Sequence, residues 1–212
     1  MELLGSPQNS YPSIHIVGTN GKTSVARMID ALLTAFNQRT GRTTSPHLQS
    51  AVERIAIDNQ PISPARYVET YREIEPFVQM VDAQSEAGEL GMCGPVMSKF
   101  EVVTAMAFAA FADAPIDVAV VEAGMGGSWD ATNVIDATIA VITPIGMDHS
   151  EYLGATVGEI DWPAPHRKPI GPLINYGYEG ELLLPLSFTP PADARPARRG
   201  ARVRERWCRG PP

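Results

Sequence analysis

The 212-residue sequence contains only two cysteines, Cys93 and Cys208, which lie far apart along the chain. A disulfide scaffold and a cysteine-based zinc site are therefore not expected, and the cytoplasm is the predicted location. The longest uncharged apolar run, residues 102–112, is too short to cross a bilayer. The N-terminus has no basic segment followed by an apolar run, so no secretory signal is predicted.

Positive charge is also scarce, with 17 Lys and Arg against 24 Asp and Glu and a formal net charge of −7. An acidic chain is a poor generic binder of phosphate backbones, so neither nucleic acid nor a membrane surface is an expected partner. Hydrophobic residues make up 44% of the chain and charged residues 19%, which is typical of a globular protein.

The composition changes near residue 160. Residues 1–160 hold 8 Lys and Arg against 19 Asp and Glu, whereas residues 161–212 hold 9 against 5, together with 10 of the 19 prolines. The second segment shows no apolar periodicity and cannot bury enough surface to offset its ordering entropy. We expect a folded domain over 1–160. The 161–212 tail is expected to be disordered, as a basic interaction tail or as the product of a shifted reading frame.

Short apolar runs alternate with helical patterns. Three runs are predicted as buried strands: residues 13–17, 117–122 and 138–143. Apolar residues recur at helical spacing from Val25 to Phe36, with Gly41 expected to stop that helix, and Phe100–Phe111 is apolar nearly all round. This alternation predicts an α/β fold, a mostly parallel sheet flanked by helices.

A glycine-lysine loop follows the first predicted strand. Gly18-x-x-Gly21-Lys22-Thr23 is a P-loop with two residues between its glycines where the common form has four. Backbone N–H groups and the following helix N-terminus would hold phosphate oxygens, and Lys22 would reach the β- and γ-phosphates. The alternative is a glycine-rich turn with a solvated lysine.

Two further polar residues, Glu122 and His149, follow predicted strand ends. Ligands bind beyond the carboxyl ends of parallel strands, so these residues and the loop are expected to converge. Glu122 could hold Mg²⁺, and the alternative is that it is an exposed carboxylate at a strand end. For His149 the alternative is a structural histidine. The Ser45-Pro46-His47 segment by itself indicates a rigid surface connection.

Several motifs together resemble one family, the folylpolyglutamate and dihydrofolate synthases, which are ATP-dependent amide ligases of the Mur ligase superfamily. The resemblance extends over about residues 4–160. It is carried by Gly-Thr-Asn-Gly-Lys-Thr-Ser (18–24), Thr-Ser-Pro-His-Leu (44–48), Glu-Arg-Ile (53–55), Phe-Glu (100–101), Glu-x-Gly-Met-Gly-Gly (122–127), Asp-Ala-Thr-Asn (130–133) and Asp-His (148–149).

The resemblance implies a P-loop domain like the central ATPase domain of Mur ligases, here incomplete. It also implies ligation of L-glutamate to folate or dihydropteroate through an acyl phosphate, with ATP and Mg²⁺. By this likeness the ATP-binding residues are Gly18, Thr19, Asn20, Gly21, Lys22, Thr23 and Ser24. The implied catalytic residues are Lys22, Glu122 and His149, and the implied metal ligands are Ser45, Glu122 and His149.

The resemblance also assigns residues to the second substrate and to the glycine loop. The residues implied to bind the pterin substrate are Ser45, Pro46, His47, Leu48, Ser98, Lys99 and Phe100. The residues expected to order the glycine loop without being catalytic are Asp130, Thr132 and Asn133.

The sequence departs from the family after about Ile160. The family's carbamylated lysine, which binds a second Mg²⁺, corresponds by position to Ala164, and Lys168 is a poor substitute. The family's C-terminal ligase domain is also not recognisable. We therefore expect a monomeric chain that is poorly active and poorly soluble as written. Two alternatives stay open: a truncated nucleotide- or folate-binding module without ligase activity, and a Mur ligase of cell-wall synthesis.

Overall fold

The computed structural model describes residues 1–88, 96–125, 130–144 and 174–175. Within these residues the chain forms a seven-stranded sheet in the order β4-β3-β2-β5-β1-β6-β7. The strands are β1 Ser13–Val17, β2 Thr40–Thr43, β3 Ile55–Ile57, β4 Gln60–Pro61, β5 Val118–Glu122, β6 Ile139–Ile142 and β7 Ile174–Asn175.

Strand β1 lies at the centre of the sheet. It pairs in parallel with β5 on one side and with β6 on the other, so that Ile16 is level with Glu122 and Val17 with Ile142. Strand β2 pairs in parallel with β5, and among the described strands only β3 runs in the opposite direction, pairing antiparallel with β2 and with β4. The predicted mostly parallel sheet is confirmed, and its three predicted strands coincide with β1, β5 and β6.

Three α-helices flank the sheet in the described part of the chain: α1 Lys22–Ala35, α2 Pro64–Glu86 and α3 Lys99–Asp113. Four short 3₁₀ turns cover Glu2–Leu4, Pro7–Asn9, Ala51–Arg54 and Ala131–Val134. The two predicted helices are confirmed as α1 and α3.

The acidic, glycine-containing composition of residues 82–94 predicts a loop, but helix α2 includes the start of this segment. The helix continues to Glu86, so the first part of that segment is helical; residues 89–94 lie outside the described residues. A local signal was present at the start of the helix. The Ser63 hydroxyl accepts a hydrogen bond from the Arg66 N–H, and Pro64 follows it in the first helical position.

The sheet buries a different apolar cluster on each face. On one face α1 covers Ile14, Ile16, Val120 and Val141, with Ala26 of the helix fully buried against them. On the other face α2 and α3 cover a larger cluster, which includes Phe108, Phe111, Ile55, Ile74 and Val121. Because side chains alternate along a strand, adjacent residues of β5 enter opposite layers. This continuous burial explains the unbroken apolar runs in the sequence.

Gly41 does not stop the first helix as expected. Helix α1 ends at Ala35, and Asn37 takes a left-handed conformation with φ of 59°. Gly41 lies within β2, where a Cβ atom would be 2.6 Å from the ring of Phe111 and 2.8 Å from Ile116. Glycine is needed at this position so that α3 can pack closely on the strand.

The segment 161–212 lies outside the described residues except for 174–175, which form the parallel edge strand β7 beside β6. Its expected disorder therefore stays a prediction. No helix in the described ranges is long and apolar enough to cross a membrane.

We expect Gly41→Ala to lower the free energy of unfolding by about 1–3 kcal/mol, because the added methyl group would overlap the Phe111 ring in a close-packed core. Denaturant unfolding measures the change. Ala31→Ser, at an exposed position of α1, serves as the control and should stay within about 0.5 kcal/mol of the parent. Equal unfolding midpoints for Gly41→Ala and the parent would contradict the packing argument.

Candidate active site

The loop after β1 is fixed to the end of the neighbouring strand β6. Gly18 has φ of 129°, and a Cβ atom there would be 2.2 Å from the Thr143 hydroxyl oxygen. The N–H groups of Thr19 and Asn20 donate to the Pro144 carbonyl at 3.1 and 3.2 Å. The first half of the predicted P-loop is thus used for docking, which leaves its second half to face a ligand.

The second half of the loop forms the start of α1. Gly21 adopts φ of 82° as the residue before the helix, and among the described residues no side chain caps the helix N-terminus. The first-turn N–H groups, up to Ser24, have no acceptor within the helix. Together with the helix dipole they form a site for an anion, as the glycine pattern predicts.

Lys22 lies over this loop. Its Nζ donates to the carbonyl oxygens of Gly18 at 2.8 Å and Thr19 at 3.4 Å. The ammonium group is therefore held above the loop that is predicted to hold phosphates. Its contact with the β- and γ-phosphates stays a prediction.

Glu122, at the end of β5, is buried next to the loop. Glu122 pairs in register with Ile16 of β1. The Thr23 hydroxyl donates to both carboxylate oxygens, at 2.8 Å to Oε1 and 3.0 Å to Oε2. The Ser45 N–H donates to Oε2 at 3.2 Å. Only 2% of Glu122 is exposed. The loop and Glu122 converge as expected, and the segment after β2 joins them. His149, the third residue expected here, lies outside the described residues.

Burial raises the pKa of Glu122 above its ordinary value. The hydrogen bonds from Thr23 and Ser45 and the positive charges of Lys22 and Arg42 act in the opposite direction, but burial dominates. A buried carboxylate with this cost of ionisation gains from a nearby cation. Paired with a threonine hydroxyl, it supplies the hard oxygen donors that Mg²⁺ prefers, so these residues fit the implied metal.

The other two predicted metal ligands are less well defined. At Ser45 the observed contact with Glu122 is made by the backbone N–H. His149 lies outside the described residues. No group of three or more His, Cys, Asp or Glu side chains suited to a metal occurs among the described residues. Among the described residues, the candidate magnesium site consists of Glu122, the Thr23 hydroxyl that contacts it, and the adjacent Ser45.

The predicted pterin-binding loop, residues 45–48, is held by Glu53. Its carboxylate accepts hydrogen bonds from the N–H groups of Leu48, Gln49 and Ser50 at 2.8–3.0 Å, which lowers the pKa of Glu53. Arg54 Nε donates to His47 Nδ1 at 2.9 Å. The Glu-Arg pair at 53–54 thus explains the shape of the loop, and Leu48 remains 81% exposed at its tip. Pro46, which precedes His47, is also exposed.

Three more predicted substrate residues begin α3. The Ser98 hydroxyl accepts from the Glu101 N–H at 3.2 Å, and the Glu101 carboxylate accepts from the Ser98 N–H at 2.7 Å. Lys99 is exposed, and the Phe100 ring lies against Gly124, where a Cβ atom would be 2.5 Å from it. Phe100 is therefore adjacent to the loop that follows Glu122, whereas Ser98 has a structural use as a helix cap.

Hydrogen bonds centred on Asp130 hold the start of the same loop. The Asp130 carboxylate accepts from the Met125 N–H at 2.8 Å and from the Thr132 hydroxyl, and the Asn133 N–H donates to the Asp130 carbonyl at 3.0 Å. The Met125 contact supports the expected ordering of the glycine loop, whose residues 126–129 lie outside the described residues. His15 Nε2 lies 2.8 Å from the Thr132 hydroxyl oxygen. Because that hydroxyl donates to Asp130, His15 is the donor, an assignment not foreseen from the sequence.

A buried ion pair beside the site was not predicted from the sequence. Arg42 Nε donates to Asp30 Oδ2 at 2.7 Å, and the two side chains are 5% and 0% exposed. An aspartate among the apolar residues of a helix was the available signal, since such a residue is rarely buried without a partner.

The chain is similar to proteins of known activity. It is 74% identical over 160 residues to the dihydrofolate synthase/folylpolyglutamate synthase of Mycobacterium tuberculosis, covering 76% of this chain and 33% of that protein. The Bacillus subtilis protein of the same name is 36% identical over 161 residues, with 76% and 36% covered. No family model matches the sequence.

A solved structure, Mycobacterium tuberculosis folylpolyglutamate synthase complexed with ADP, superposes with a TM-score of 0.72 at 65% identity. The match covers 82% of this chain and 39% of the solved chain. Over the matched residues the chain is thus similar to the folylpolyglutamate and dihydrofolate synthases. It spans about a third of the length of the curated relatives.

Glu122 gives a prediction with a defined sign against pH. Its raised pKa means that, without metal, ionisation of Glu122 lowers the free energy of unfolding as the pH rises through that pKa. A divalent cation requires the ionised form, so the affinity for magnesium nucleotide should fall as the pH is lowered through the same range.

Glu122→Gln removes both effects. We expect its melting temperature without ligand to equal or exceed that of the parent at neutral pH. The magnesium-dependent part of its nucleotide affinity should fall on the order of tenfold or more. Glu86→Gln, at an exposed position, is the control for loss of one carboxylate. Equal affinities of parent and Glu122→Gln at neutral pH, measured by calorimetry, would refute the metal role.

Proposed function

We propose that this chain binds ATP with Mg²⁺ and supplies the nucleotide side of an ATP-dependent ligase, which joins L-glutamate to folate or dihydropteroate. The contact of Thr23 with Glu122 beneath the uncapped start of α1 carries the proposal, because it combines an anion site and a cation site within one loop. The identity with the mycobacterial synthase, a third of which the chain covers, supports it.

In the proposed reaction, a substrate carboxylate attacks the γ-phosphorus of ATP and forms an acyl phosphate with release of ADP. The glutamate amine then attacks the acyl carbon, and phosphate leaves. A carboxylate and a triphosphate repel each other, so positive groups must hold them together. The N–H groups at the start of α1 and Lys22 would neutralise the phosphates during transfer.

The cation would be held by Glu122 and Thr23, with Ser45 and His149 as further proposed ligands. Mg²⁺ supplies charge neutralisation and orientation of the phosphates when bound. Ser45 lies at the start of the loop proposed to cover the pterin substrate, and its N–H already contacts Glu122. Nucleotide and second substrate would therefore meet at the end of β5.

The proposed partners are small molecules: ATP, L-glutamate, and folate or dihydropteroate. The proposed location is the cytoplasm, where ATP is abundant, and the proposed state is a monomer. No part of the proposal requires nucleic acid or a membrane.

Lys22→Ala tests the nucleotide site. We expect at least a tenfold loss of affinity for Mg·AMPPCP, a non-hydrolysable ATP analogue, because one of the few cations beside the phosphates is removed. Isothermal calorimetry measures the affinity, and Arg72→Ala, an exposed cation on α2, is the matched control. No binding by the parent chain, or equal binding by the Lys22 variant, would refute the site.

Turnover is measured separately as ADP release. Release that depends on both L-glutamate and dihydropteroate or folate supports the ligase. Nucleotide binding without release supports a binding module, and release that depends on a cell-wall precursor supports a Mur ligase of cell-wall synthesis.

A further inference from the structure

The buried ion pair between Asp30 and Arg42 links the two halves of the candidate site. Asp30 lies on α1, eight residues and about 12 Å along the helix from Lys22. Arg42 lies on β2, three residues before Ser45. The pair joins the helix that begins at the phosphate loop to the strand that leads into the proposed substrate loop.

Besides the ion pair itself, each member makes a further hydrogen bond to β2 or to the segment that follows it. The Asp30 carboxylate accepts from Arg42 Nε at 2.7 Å and, through its other oxygen, from the Thr40 hydroxyl. Arg42 Nη1 donates to the Thr44 hydroxyl at 3.3 Å. Arg42 is level with Val120, which belongs to the apolar layer beneath α1, so its side chain enters that layer. A single guanidinium therefore holds helix, strand and loop.

Stability alone does not explain a charge pair in this layer. The desolvation cost of two buried charges is of the same order as their attraction, and apolar replacements of such pairs are often neutral or stabilising. The surrounding residues are apolar, among them Ala26 and Val120. What the pair adds is direction, since a guanidinium fixes the angle and distance of each oxygen it contacts.

We propose that Arg42 is a positioning residue that couples the nucleotide site at the start of α1 to residues 44–48. Movement of α1 on phosphate binding would be passed through Asp30 and Arg42 to Thr44. The adjacent Ser45 N–H, which contacts Glu122 at 3.2 Å, would then be held more firmly in that contact. This inference rests on the proposed function, because it assumes that phosphates bind at the start of α1.

Amide hydrogen exchange of residues 45–49, with and without Mg·AMPPCP, tests the coupling. In the parent chain we expect the nucleotide to slow exchange in this segment at least about fivefold. The double variant Asp30→Leu/Arg42→Met keeps an apolar layer of similar volume and should remain folded. It should bind Mg·AMPPCP within about threefold of the parent, yet the slowing should fall below about twofold.

Thr44→Val is the matched second variant. It keeps the ion pair and nearly the same shape, but it removes the oxygen that connects Arg42 to the loop. We expect it to lose the nucleotide-dependent slowing as well, while it still unfolds in one cooperative transition at a modestly lower temperature, because one buried donor loses its acceptor. Arg72→Ala on α2 should behave as the parent.

The outcomes separate the two claims. A parent chain that does not bind Mg·AMPPCP overturns the proposed function and this inference with it. A parent that binds nucleotide without slowed exchange in 45–49 overturns the inference alone. The same holds if folded Thr44→Val, or a folded double variant, retains the full slowing.

Discussion

The position of β1 between β5 and β6 is the constraint on which the rest of the site depends. Its two parallel registers place the ends of three strands side by side, with Ile16 level with Glu122 and Val17 level with Ile142. The loop after β1 must then turn in the space between a carboxylate and the end of β6. The chain leaves β1 toward β2 but leaves β5 toward β6, so this edge is the switch point at which open α/β sheets bind ligands.

The electrostatics of the site follow from that placement. Glu122 is buried because its strand is central, and its ionised form is costly because it is buried. The Thr23 hydroxyl and the Ser45 N–H offset part of that cost by donating to it. The same carboxylate therefore joins the loop after β1 to the segment after β2, and it is also the proposed ligand of the cation. Structural and chemical roles are carried by one side chain.

Much of the fold could be predicted from short-range patterns. The strands β1, β5 and β6 are continuous apolar runs, and α1 and α3 have helical periodicity, so period and length were sufficient. Gly41 was misassigned because a glycine that ends a helix and a glycine that admits a neighbouring ring look alike in sequence. Helix α2 was missed because its solvent-exposed length carries little apolar pattern, although Ser63 and Pro64 mark its start.

The sequence by itself determined the class of fold, the position of the glycine-lysine loop and the resemblance to the synthase family. These depend on local spacing and on motifs in a fixed order. Which polar side chains pair with one another was decided only by the tertiary structure. Contacts such as Thr23 with Glu122, His15 with Thr132, and Asp30 with Arg42 join residues from 12 to 117 positions apart. Which polar groups meet in a buried layer depends on strand order and register, and neither is encoded in any single segment.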